Sequence, residues 1–341
     1  MNILNRSAGV KKHDMNKNSI DIKDNYIDKL NKELLTILLK DRTSGKNIIW
    51  ATDNYSSRGY GYQSTDYITV ESITGYHGNV IKPRSEKSKE DQARRAKMKA
   101  EVFTPSWICN VQNNLVDNAW FESEGMFNTE HDKTWTATTK KVPFPTPSGR
   151  TWQDYINDNR LETSCGEAPY LISRYDTVTG EVIEIERRIG LLDRKLRVIS
   201  ENVDSEPEWY SWAKKAFQNS YGFEWQGDNV FLARENLLFT FIDYYEDKFG
   251  AFSIKEYLKE IAAIISWNIW QMDGLKFVIP ESCKDEENGK TSLFETGISK
   301  KPCKGCSKND PYSHTGVYCK IKDWKANKTV RFVDLLQNKR K

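Results

Sequence analysis

The stretch RLETSCGEAPYLISRYD, residues 160 to 176, carries the order of a doubly wound α/β fold. Arg160 to Thr163 suits a strand and Cys165-Gly166 a tight bend. Pro169 suits the first turn of a helix, where its missing N–H costs nothing. Cofactor loops of the nucleotide type lie at such a bend, outside the carboxyl end of a parallel strand. They usually hold two or three glycines. This one has Gly166 alone, followed by Glu167-Ala168-Pro169.

Outward from the loop, strands and helices alternate. EVIEIERRIG (181–190) has the pattern of a strand and WYSWAKKAFQNS (209–220) that of a helix. SYGFEWQ (220–226) is a strand that runs into a long helix, GDNVFLARENLLFTFIDYYEDKF. IKEYLKEIAAII is another helix, and SWNIWQMDGL ends another strand. Strands separated by helices of this length predict a parallel sheet. Before the loop, EVFTPSWICNVQNNLVDNAWF is an extended turn entering a helix, and KKVPFPTPSGRTW is a proline-rich connection.

Residues 1 to 23 are polar. From Asp24 to Lys40, Ile27, Leu30, Leu34 and Leu38 recur at helical spacing. NIIWA (47–51) and YITVESI (67–73) have the composition of short strands, and the basic run from Lys82 to Lys99 that of a helix. A boundary near residue 90 separates an N-terminal extension (1–90) from a cofactor-binding domain (91–282), and a Cys-rich segment (283–341) follows.

Three strand ends carry residues suited to one pocket. The loop contributes Glu162, Cys165 and Gly166. Glu224 closes the next strand, where an acid can take both hydroxyls of a ribose. Asp273 ends a later strand, placed to meet a purine amino group. Acids also end strands as plain helix caps, so their order along the chain gives the pattern its weight.

On these residues the chain resembles the DNA adenine-N6 methyltransferases, in the form of the M subunit of restriction–modification systems. Glu101-Val102-Phe103-Thr104-Pro105 looks like their Phe-Thr-Pro element, which packs against the methionine end of S-adenosylmethionine. LETSCGEAPYL is similar to their Asp-Pro-x-Cys-Gly-x-Gly-x-Phe-Leu loop, with Glu162 in the Asp place and Ala168 in the second Gly place. Gly222, Glu224, Ala233, Arg234, Asn236 and Leu237 match a strand and helix of the family, and MDGL resembles its Asp-x-Leu strand end. The likeness covers roughly residues 100 to 280. It implies a Rossmann-like methyltransferase sheet in which Phe103, Thr104, Pro105, Glu162, Cys165, Gly166, Glu224 and Asp273 hold S-adenosylmethionine. That cofactor brings no pyrophosphate, so one glycine can suffice, and the methyl of Ala168 is tolerated if its φ stays negative.

The family's Asn/Asp/Ser-Pro-Pro-Tyr/Phe tetrapeptide, which holds the flipped base, has no intact copy. Asn309-Asp310-Pro311-Tyr312 is one degenerate version, with Asn309 and Tyr312 as its catalytic pair. Tyr55, with Asp53 as acceptor and Thr52 nearby, is the other, and would fit a permuted chain. Both are also ordinary turn sequences.

Cys303-x-x-Cys306, His314 and Cys319 have ligand types and spacing suited to a closed, structural zinc site, with Cys283 as an alternative to His314. Net charge is only +3, so any nucleic-acid partner has to be met by local basic runs: 82 to 99, and Lys339-Arg340-Lys341. Double-stranded DNA and a restriction or specificity subunit are the partners the resemblance implies. No stretch suits a signal peptide or a membrane span, which predicts a cytoplasmic protein with no membrane partner. Two function classes follow: an S-adenosylmethionine-dependent DNA methyltransferase, or a non-catalytic DNA-binding or assembly subunit on a degenerate methyltransferase fold. A nuclease lacks support, because no carboxylate set is spaced for two metals.

Overall fold

A three-stranded parallel sheet organises the chain: β1 (Arg160–Thr163), β2 (Ser220–Glu224) and β3 (Ile269–Gln271), in that spatial order. The computed structural model describes residues 32–99, 101–250, 255–287 and 300–339. Ile27 and Leu30 of the expected first helix, and Arg340 and Lys341, lie outside them. Leu161 pairs with Tyr221 and Phe223 with Trp270, so all three carboxyl ends point the same way. The pairing runs one step further at that end. Cys165 N–H donates to Phe223 O (2.9 Å) and Met272 N–H to Glu224 O (2.9 Å).

The helices around the sheet are α1 (Lys32–Leu39), α2 (Lys89–Lys99), α3 (Ser106–Phe121), α4 (Leu191–Asn202), α5 (Glu206–Gln218), α6 (Gly227–Phe249) and α7 (Lys255–Asn268). α6 is buried on every side through its first four turns, Gly227 to Ile242, so that its polar residues, Asp228, Asn229, Arg234, Glu235 and Asn236 among them, lie inside with the apolar ones. It follows β2 directly because Gln226 starts it and the carbonyl of Trp50 takes the Gly227 N–H (3.0 Å). A Cβ at position 227 would come within 2.0 Å of Ile49 O, so glycine is needed for that approach.

Arg234, in the middle of α6, is wholly buried and ties three elements together. Its guanidinium donates to the carbonyls of Leu38 in α1, Lys40 just after it, Ser266 in α7, and Ile269 in β3. One cluster of buried side chains therefore runs from Leu34 to Ile269, taking in Ile48, Trp50, Ile68 and Ile81. A second, smaller cluster lies on the other face of the sheet. There the hairpin β4 (Lys320–Asp323) and β5 (Lys328–Arg331) lays Ile321 and Val330 against Phe223, Trp270 and Met272.

The expected helix after the loop exists in two pieces. Residues 168 to 172 make one turn, with Ile172 N–H on Ala168 O (2.9 Å). The chain then leaves and returns at Gly190, and α4 resumes the interrupted path: Leu191 N–H donates to Tyr170 O and Leu192 N–H to Leu171 O, both at 2.8 Å. The intervening EVIEIERRIG is not a strand. Only Val182 pairs, with Tyr175, because Asp176 folds 176 to 181 into a turn by accepting the N–H groups of Val178 and Thr179. YITVESI is likewise only half extended. Tyr67 bridges to Ile49, and Thr69 and Ser72 form a reciprocal cap that starts a helical turn at Val70. NIIWA is extended as far as Trp50, held by single bridges at Asn47 and Ile49 and by the Gln271 side chain, which both donates to and accepts from the Ile49 backbone; Ala51 turns left-handed, with φ +51°. No helix among the described residues is long and apolar enough to cross a membrane.

Candidate ligand cavity and Cys/His metal site

A cavity of about 640 Å³ opens at the carboxyl ends of β1, β2 and β3. Of the eight residues the resemblance assigns to a cofactor, seven line it: Phe103, Thr104, Glu162, Cys165, Gly166, Glu224 and Asp273. Pro105 is not among the lining residues and starts α3 instead. Phe103 is packed over the bend, since a Cβ on Gly166 would touch its ring at 3.5 Å.

Each acid also fastens backbone. Glu162 accepts from Tyr170 N–H (3.3 Å) and Leu171 N–H (3.1 Å), and so holds the single helical turn against β1. Glu224 accepts from Gly166 N–H and Gln226 N–H, both at 3.1 Å, and so ties the bend to the start of α6. Asp273 accepts from Leu275 and Lys276 N–H, closing the turn after β3, and lies 3.4 Å from the Lys276 ammonium. Burial pushes Glu162 up to about 8: the two amide donors pull it down, and neighbouring Glu224 pushes it further up. Burial raises Glu224 as well. Cys165 packs in the core, and burial holds its thiol far above its ordinary value.

The bend departs from the sequence expectation at Ala168, whose φ is +65°. The second glycine place of the loop does require a left-handed residue, and alanine occupies it at a cost of about 1–2 kcal/mol. Glu101, which precedes Phe103 by two positions, also lines the cavity. Its carboxylate is gripped by Arg95 Nε (2.7 and 2.9 Å) and Gln226 Nε2 (2.9 Å). Arg95 in turn pairs with Asp228 at 2.7 Å, and Lys87 lies 3.8 Å from the same carboxylate. Two cations of the basic 82–99 run are thus turned inward.

Neither nominated catalytic pair belongs to the cavity lining. Asn309 is a left-handed residue ending the short helix Lys304–Lys308, and Tyr312 is an exposed ring in the same loop. Tyr55 is buried and donates its hydroxyl to Asp228 at 2.7 Å.

The metal-type residues gather, with one exchange. Cys283, Cys303, Cys306 and His314 bring their ligand atoms within 4.8 Å of one another, and the group can hold a metal ion. His314 Nδ1 lies 3.7, 3.7 and 3.6 Å from the sulfurs of Cys283, Cys303 and Cys306. Zinc at about 2.3 Å from sulfur and 2.0–2.1 Å from nitrogen, with tetrahedral angles, sets such pairs about 3.6 Å apart. Cys319 is outside the group. It is fully buried against the sheet and donates its thiol to Gln271 O. Cys283 stands in its place, not in that of His314. Burial acts to raise the Cys303 thiol, but the amides of Thr315 and Cys306 and the His314 ring outweigh it and bring it down to about 5. Gly305 makes the packing possible, because a Cβ there would lie 2.6 Å from His314 Nδ1.

No protein-family model, no curated protein and no solved structure matches this chain.

Proposed function

We propose that the cavity is a site for S-adenosylmethionine, on a Rossmann-like methyltransferase sheet, and that the chain is a DNA methyltransferase of the adenine-N6 type. The charge of the lining carries this reading. Glu101, Glu162, Glu224, Asp273 and Glu281 line the cavity, and no Lys, Arg or His does so among the described residues. A dinucleotide or nucleoside triphosphate would bring phosphates against these carboxylates, and the nearest cations, Arg95 on Glu101 and Lys276 beside Asp273, are already paired. S-adenosylmethionine brings a sulfonium and an ammonium, and two carboxylates already pushed upward by burial gain from a cation beside them.

In this reading Glu224 takes the ribose hydroxyls with lone pairs left free by its two amide donors, and Asp273 meets the adenine amino group. Phe103, Phe223 and Met272 give the apolar walls. The bound cofactor supplies a methyl group already activated by its sulfonium. Zinc in the Cys₃His group would be structural, since four protein ligands close the site. Double-stranded DNA, with a restriction or specificity subunit, completes the proposed setting.

One observation favours a second reading. Tyr55 is buried with its hydroxyl on Asp228, and Tyr312, though exposed, lies outside the cavity lining, so the non-catalytic assembly subunit is the alternative. Transfer of labelled methyl from S-adenosylmethionine to varied duplex DNA separates the two. Incorporation by the chain alone, reduced in Glu224→Gln, supports the enzyme. Cofactor binding without incorporation supports the subunit.

A further inference from the structure

We infer that the outer face of the β4/β5 hairpin is a phosphate-contacting surface for a nucleic-acid duplex. The inference deepens the reading above, because a cavity that modifies a base needs a surface holding the polyanion beside it. Charge is sharply divided along the chain. Residues 301 to 341 hold eleven basic side chains against three acids, and the 300 residues before them hold 40 against 45. The last 41 residues thus carry a net charge of +8 and the 300 before them −5.

The hairpin register turns that composition into a face. Lys320 stands opposite Arg331 and Lys322 opposite Thr329, and side chains alternate along a strand. Lys320, Lys322, Thr329 and Arg331 therefore share one side, while Ile321 and Val330 take the other and pack into the second core. Lys325 is exposed in the turn that joins the two strands. Among the described residues no carboxylate pairs with Lys320, Lys322 or Lys325, whereas Arg331 is held by Asp334 at 2.8 Å. Lys322 lies 5.6 Å from the Trp324 ring and Arg331 5.4 Å from the Tyr318 ring. The inner side of the hairpin packs on Phe223 and Met272, which also line the cavity, so this face is one layer behind the cavity wall. The outward row has no apolar side chain to enter a bilayer, which favours a phosphate polymer over a lipid surface.

The experiment uses the full chain with its metal and a fluorescent 20-base-pair duplex, read by anisotropy over a series of salt concentrations. Lys320→Glu/Lys322→Glu/Lys325→Glu should bind at least ten-fold more weakly. Its log–log salt slope should be shallower by roughly two to three, one contact contributing about 0.9. Metal content and urea unfolding identify any variant that has lost its fold, and the Lys→Gln triple variant then replaces it, with the slope as readout. Equal affinity and slope in wild type and variant overturn the inference. So does wild-type protein that ignores duplex at low salt, or that binds phosphatidylserine vesicles through these lysines and no duplex. No cofactor is added, so duplex binding without S-adenosylmethionine affinity removes the cavity reading and leaves this one standing. The reverse result does the opposite.

Discussion

Glu162 and Glu224 each serve the fold and the cavity with one carboxylate, and the fold side can be measured without ligand. Because Glu162 is raised by burial from 4.5 to about 8, its protonated form favours the folded state. That contribution is complete below about 4.5 and is lost as pH rises through about 8. Glu162→Gln cannot titrate, so wild type should lose stability relative to the variant between those values, by up to a few kcal/mol. Urea unfolding across the range checks it, and a constant difference contradicts it. The metal site gives a second test at this scale. Cys283→Ser should lower the bound metal from about one per chain to a small fraction, whereas Cys319→Ala should keep the metal and lose only core packing. Metal analysis that ranks them the other way refutes the ligand set. Residue types were legible in the sequence, because cysteines and strand-end acids announce their chemistry. Choosing between Cys283 and Cys319 was not, since that depends on β4 drawing Cys319 under the sheet.

At the scale of elements, the joint between the turn 168–172 and α4 is the feature that no sequence pattern exposed. A helix broken by an 18-residue excursion leaves only short periodic fragments at 168–172 and 191–202. Each is too short for periodicity to mark one continuous helix. Gly190 makes the joint possible: a Cβ there would lie 2.4 Å from Leu171 O and 2.5 Å from Ile172 Cα. Gly190→Ala should therefore destabilise the protein by about 1–3 kcal/mol, through overpacking and not through φ, which is −63°. A melting curve unchanged from wild type would show that the two pieces do not meet. α6 was legible in full because no Pro or Gly interrupts it between Asp228 and Phe249 and apolar residues recur through every turn. The hairpin Asn128–His131/Thr134–Ala137 was not, because its Asp132-Lys133 turn lacks the Gly that usually marks one.

Across the whole molecule, one core joins the N-terminal residues to the sheet through Arg234 and Gln271, and the acidic cavity opens where three strands end. The order of strand, helix and strand was legible in the sequence. The share of the basic run spent inside, on Asp228 and Glu101, was not, because a lysine-rich helix looks the same in sequence whether its arginine faces water or a buried carboxylate. Calorimetric titration of S-adenosylmethionine into the metal-bearing protein reads out what the cavity holds. The expected result is one site per chain, at least ten-fold weaker in Glu224→Gln, tighter as pH rises because the raised carboxylates ionise to meet a cation, with no comparable heat from NAD or ATP. A folded, metal-bearing protein that gives no heat with S-adenosylmethionine, or that prefers the phosphate-bearing ligands, would contradict it.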